Sequence, residues 1–134
     1  MSYVIAMSRN EAFGAGVGGL ETTTLVDQEG SPKLLQTAKR DASGQKLAYV
    51  EYEHDPEVKQ TNITWMGSVY PGQGHVQEIL HNLYNTHIDH TVNFGDVISG
   101  ASAHIMEKMA ATYGRTAGTV NIDEDYAQEM AKEN

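Results

Sequence analysis

The sequence predicts an α+β fold, and three observations carry that expectation. Segments 34–40, 46–54 and 59–69 hold strand-forming residues between turn signals. Stretch 65–84, WMGSVYPGQGHVQEILHNLY, passes from strand residues through a glycine turn into a helix. Its apolar residues Val76, Ile79, Leu80, Leu83 and Tyr84 recur at i, i+3, i+4, i+7 and i+8, the stripe of a helix packed on a sheet. Strand and helix then alternate once more, over 91–97 and 99–113.

Each element has its own grounds. Residues 3–7 are a short apolar run with the look of a strand, and AFGAGVGGL after it reads as an extended glycine-rich arm. No Lys-Ser/Thr follows those glycines and no amphipathic helix opens there, so they are not a phosphate loop. Thr22, Thr23, Thr24, Leu25 and Val26 have strand chemistry, and 27–32 is a turn. Residues 1–33 are therefore expected as an N-terminal strand and arm, and 34–134 as one domain. In 46–54, Leu47, Tyr49 or Val50, and Tyr52 alternate with polar residues, as in a half-exposed strand. Asp55-Pro56 makes the next turn. In 99–113, Ala101, Ile105, Met109 and Tyr113 share one face, with Gly114 as C-cap. Residues 116–122 read as a last short strand, and Asp123 caps a closing polar helix over 124–134.

Composition limits the function classes. Nine Lys+Arg against 18 Asp+Glu give a net charge of −9 and a pI near 4.9. Sequence-independent binding to nucleic acid or to an anionic membrane needs a basic patch, so neither partner is expected. Cysteine is absent, which excludes disulfides, thiolate zinc sites and a cysteine nucleophile. No apolar run reaches transmembrane length. The first residues have neither the basic lead nor the apolar core of a signal peptide. The expected location is cytoplasmic, or in a particle assembled inside a cell. Asn62-Ile63-Thr64 fits a glycosylation acceptor, read as chance in that setting.

His75, His81, His87 and His90 crowd one stretch. Three imidazoles suffice for zinc or nickel. No HExxH-type pattern accompanies them, so they read as turn and surface histidines with no metal expected, able to make an interface pH-sensitive. Trp65, Tyr49 and Tyr52 fall on strand-period positions and read as sheet packing.

Stretch 34–113 resembles the GNAT superfamily of N-acetyltransferases, in which a strand ending in V-x-P runs through a glycine-rich turn into a helix. Val69-Tyr70-Pro71 stands for the V-x-P here, and Gly72-Gln73-Gly74-His75-Val76 for the turn. The resemblance implies a GNAT-like mixed central sheet with helices after the third and fourth core strands. It also implies acetyl-CoA as cofactor. Backbone N–H groups of Gly72, Gln73, Gly74, His75 and Val76 would hold the pyrophosphate. Met66, Ser68 and Val69 would pair with the pantetheine arm, and Ser99 lies on the matching second-helix phrase. Candidates for base are Glu51, Glu53 and His75, and for acid Tyr113; Glu51 and Tyr113 are the pair chosen. The chain departs from the family pattern at Pro71, where Arg or Gln is usual, at Val76, where Gly or Ala is usual, and at Met106, where the acid tyrosine is usual. The resemblance leaves two readings. One is an acyl-CoA-binding protein that moves an acetyl group to a cationic amine. The other is a non-catalytic structural or interaction protein on the same core, such as a minor phage component, whose N-terminal arm packs on neighbouring subunits.

Overall fold

The structure, a computed structural model, describes residues 19–70 and 72–121. The expected strand at 3–7, the glycine-rich arm up to residue 18, Pro71 and the closing helix at 124–134 lie outside the described residues. The elements are β1 (Leu20–Val26), β2 (Lys33–Arg40), β3 (Lys46–Asp55), β4 (Gln60–Ser68), α1 (His75–Thr86), β5 (Thr91–Val97), α2 (Gly100–Tyr113) and β6 (Thr116–Val120). The fold is α+β, with one mixed six-stranded sheet in the order β1-β2-β3-β4-β5-β6. Residues 22–26, read as strand-forming, lie in β1, with the expected turn at 27–32 after it, and β1 is an edge strand of this sheet.

Local chemistry explains the meander. β1 to β4 pair antiparallel through short turns. At the β2–β3 turn the Asp41 carboxylate accepts from the Ser43 and Gln45 N–H groups, and Gly44 takes φ 87°. Side-chain and backbone hydrogen bonds hold the Asp41 carboxyl below its ordinary value, the Ser43 hydroxyl first among them. β4 to β5 and β5 to β6 are parallel, so each needs a crossover, and α1 and α2 supply them. Right-handed crossovers that step the same way along a sheet put both helices on the same face.

That face holds the core. On β3 the even positions Ala48, Val50 and Tyr52 point into it, joined by Met66, Val92, Phe94 and Val97. From α1 come the five predicted positions, Val76, Ile79, Leu80, Leu83 and Tyr84, all buried. α2 differs from its predicted stripe. It buries Ser102, Ala103, Met106 and Met109, while Ala101 is exposed and Ile105 and Tyr113 only border the core. Two irregularities shape the sheet around β4. β4 carries one extra residue, Thr64, between partners Glu51 and Tyr52. β4 meets β5 only from Gln60 to Asn62, so the two strands part beyond that point. Among the described residues, no helix is long and apolar enough to cross a membrane.

Candidate functional site

Where β4 and β5 part, the far half of β4 remains paired with β3 but has no strand on its other edge among the described residues. Ile63, Thr64, Trp65 and Met66 face Phe94, Asp96 and Val97 across a narrow groove. A strand edge without a partner offers N–H and C=O groups to any ligand that carries amides. Trp65 is 42% exposed beside this groove, not packed away as expected, with its indole N–H on the Tyr49 hydroxyl.

Beyond Ser68 the chain turns into α1 through two left-handed glycines, Gly72 (φ 85°) and Gly74 (φ 77°). A residue with a Cβ is strained at either position. Gly74 is the N-cap of α1, and among the described residues no side chain caps the helix. The first-turn N–H groups have no intrahelical acceptors, and they carry the positive end of the helix dipole. They open into a cleft of about 400 Å³ between α1 and α2. Ser68, Gly72, Gln73, Gly74, His75 and Val76 line one side; Ala101, His104, Ile105 and Lys108 line the other. Nδ1 of His75 is buried and has no hydrogen-bond partner among the described residues. Burial, and then the nearby Lys39, push the His75 imidazole below its ordinary value, against the opposing pull of Glu78.

The sequence-predicted residues divide accordingly. Ser68, Gly72, Gln73, Gly74, His75 and Val76 come together at the cleft, and Met66 lines the separate groove between β4 and β5. The Val69 N–H is turned the other way, donating to Leu47 O at 2.9 Å. Ser99 is the buried N-cap of α2, its Oγ accepting from the Ser102 N–H. Glu51 is on β3 between core residues Val50 and Tyr52, hence on the opposite face, where Gln36 Nε2 donates to its carboxylate. Tyr113 ends α2, stacked on Tyr84 and bonded to His81 Nδ1 at 2.5 Å. Glu51 and Tyr113 are not brought together, and neither lines the cleft. Sequence reasoning missed His104 and Lys108. Both are exposed helix residues that reach the site only because α2 lies beside α1.

A second cluster sits at the other end of α1. His54, His87 and His90 each offer a ring nitrogen within 4.8 Å of the others'. His54 and His90 are stacked with centroids 5.0 Å apart, and His87 is tilted against both. Burial, then the neighbouring imidazoles, push His54 and His87 below their ordinary values. Of the four histidines grouped by sequence, only two are here. Six residues of helix turn His81 away from His87 by about 240°, and His75 is about 18 Å distant along the axis.

Comparison of the chain with protein-family models, with curated proteins and with solved structures finds no match.

Proposed function

We propose that this chain binds an acyl-CoA, with the pyrophosphate on the α1 turn and the pantetheine arm along the open edge of β4. The observation that carries the reading is the succession of these two features. A strand edge with no partner among the described residues is followed, after a short glycine turn, by a helix N-terminus that no described side chain caps. Pantetheine has amides for the first, and the pyrophosphate has charge for the second. The residues present fit such a ligand. Lys108 supplies positive charge from the facing wall, opposite the 72–76 turn. When bound, the cofactor would bring an activated acyl group; this chain's part is to hold and orient it.

Binding is supported further than transfer. Acetyl transfer needs a base within reach of the amine and an acid near the thiolate. The placement of Glu51 and Tyr113 away from the cleft gives that step no support, whereas His75 and His104 border it. The reading is a GNAT-like acyl-CoA-binding protein whose catalytic positions are not kept.

Titration calorimetry with acetyl-CoA tests it. Wild type should bind in the micromolar range. Gly74→Glu, which puts a carboxylate and a strained φ at the turn, should abolish binding. Lys108→Glu, an exposed change that spares the turn, should weaken it. No heat and no thermal shift at millimolar acetyl-CoA would sink the proposal.

A further inference from the structure

We infer that His54, His87 and His90 form a binding site for one divalent transition-metal ion of the zinc class. The three imidazoles come from the end of β3, the C-cap of α1 and the residue before β5, and each brings a ring nitrogen within 4.8 Å of the others'.

The hydrogen-bonding state of the cluster argues for a ligand. A neutral imidazole has one donor and one acceptor. His90 is 6% exposed, and its Nδ1 meets the fully buried Thr61 hydroxyl at 3.2 Å. With Nδ1–H donating to Thr61, His90 keeps the Nε2 lone pair for a metal, the usual arrangement of an oriented ligand. His54 Nδ1 is buried, and among the described residues it has no hydrogen-bond partner. A buried polar atom left so is destabilising, and a metal ion bound to it removes that penalty.

Geometry and field agree. A tetrahedral zinc at about 2.0–2.1 Å from each nitrogen needs them roughly 3.3 Å apart. The nitrogens lie within 4.8 Å of one another, so they must draw closer, and the stacked His54 and His90 rings must turn out of parallel, for one ion to lie in both ring planes. Three histidines leave a fourth position for water. The site lies past the C-terminus of α1, where the dipole favours a cation. Asp55 and Asp89 act in the same sense on His54 and His87, while Lys33 and Arg115 oppose it. Arg115 holds the backbone of the turn, donating to the His87 and His90 carbonyls, so both imidazoles project from a fixed frame.

The test uses the full chain, purified without a histidine tag and freed of metal by chelator. Calorimetry with Zn2+ should give one ion per chain, and Co2+ should give the visible bands of a four-coordinate site. His54→Gln and His87→Gln should each lower affinity by more than roughly 100-fold, beyond what loss of a merely orienting partner causes. Thr61→Val should lower it by roughly 10-fold. His81→Gln should leave it unchanged. Zinc bound equally by wild type and His54→Gln, or not bound by wild type, would overturn the site. If a variant fails to fold, the wild-type imidazole resonances decide. Those of His54, His87 and His90 must shift together on zinc addition while His81 stays still; any other pattern rejects the assignment.

Discussion

Arg115→Ala is the perturbation whose cost can be worked out most fully from the structure. The Arg115 guanidinium donates to three carbonyls: His87 O at 2.8 Å, His90 O at 2.9 Å and Tyr84 O at 3.1 Å. It also lies 5.5 Å from the Tyr84 ring centroid. A hydrogen bond to a charged donor contributes about 1.5–3 kcal/mol. Three such bonds from one half-buried side chain are not additive, because water reaches part of what the truncation exposes. A loss of about 2–4 kcal/mol is therefore expected, with the cation–π contact contributing about 0.5–1 kcal/mol of it. For a chain of 134 residues that corresponds to a fall in Tm of roughly 10 °C. The Arg115 backbone, at φ 31°, keeps its unfavourable conformation in the variant, so nothing is regained there. Urea unfolding measures the free energy and calorimetry the Tm. Arg115→Lys separates charge from geometry, since an ammonium point charge cannot span three carbonyls and should retain less than half of the stabilisation. A loss under about 0.5 kcal/mol for Arg115→Ala, the size of an ordinary surface change, would refute the claim that this side chain fixes the α1–β5 turn.

Two further predictions concern packing and protonation. Gly118 on β6 has φ 147°, and a Cβ there would lie 2.7 Å from Met106 Sδ and 3.1 Å from the Gly95 carbonyl oxygen. Met106 can yield but the backbone oxygen cannot, so Gly118→Ala should cost about 1–3 kcal/mol by thermal unfolding; no change would mean α2 does not pack closely on β6. The depressed His75 value gives stability a pH dependence. As pH falls below about 6.5 the unfolded chain takes up the proton first, so stability drops until the folded-state value is passed. His75→Gln should flatten that slope in urea unfolding series run either side of this pH; an unchanged slope would place its origin elsewhere.

The elements that were legible in the sequence are those whose periodicity is set by one partner surface. β3, β4, β5 and α1 each pack one face against the same core, and their patterns follow it. The buried face of α2 was not legible, because Ala101, Ala103, Ile105, Met106, Met109 and Ala110 surround it with apolar residues. Packing against β6 and α1, not hydropathy, selects among them. One orientation could have been read from parity: Val50 and Tyr52 being core, Glu51 cannot share their face. The cleft was half legible. Residues 72–76 are contiguous, whereas His104 and Lys108 join them across a helix pair that spacing does not encode. The nearness of His54 to His90 was invisible for the same reason. They meet only because His54 pairs with Thr61 across β3–β4, and Thr61 with Val92 across the short parallel ladder.

Net charge ranks the two sites at the ends of α1. A chain at −9 repels a polyphosphate at long range and attracts a metal cation. At physiological salt the field falls off over about 8 Å, so only local groups decide an equilibrium at either end. At the N-terminal end those are the uncapped N–H groups and Lys108, a modest set against a multiply charged ligand; Lys39 is already paired with Glu78. At the C-terminal end they are three imidazoles, one with a buried nitrogen that has no partner among the described residues, with Asp55 and Asp89 set against Lys33 and Arg115. The ends stand about 18 Å apart, beyond two screening lengths. Occupation of one should leave the affinity of the other nearly unchanged, so the loss of either reading leaves the other standing.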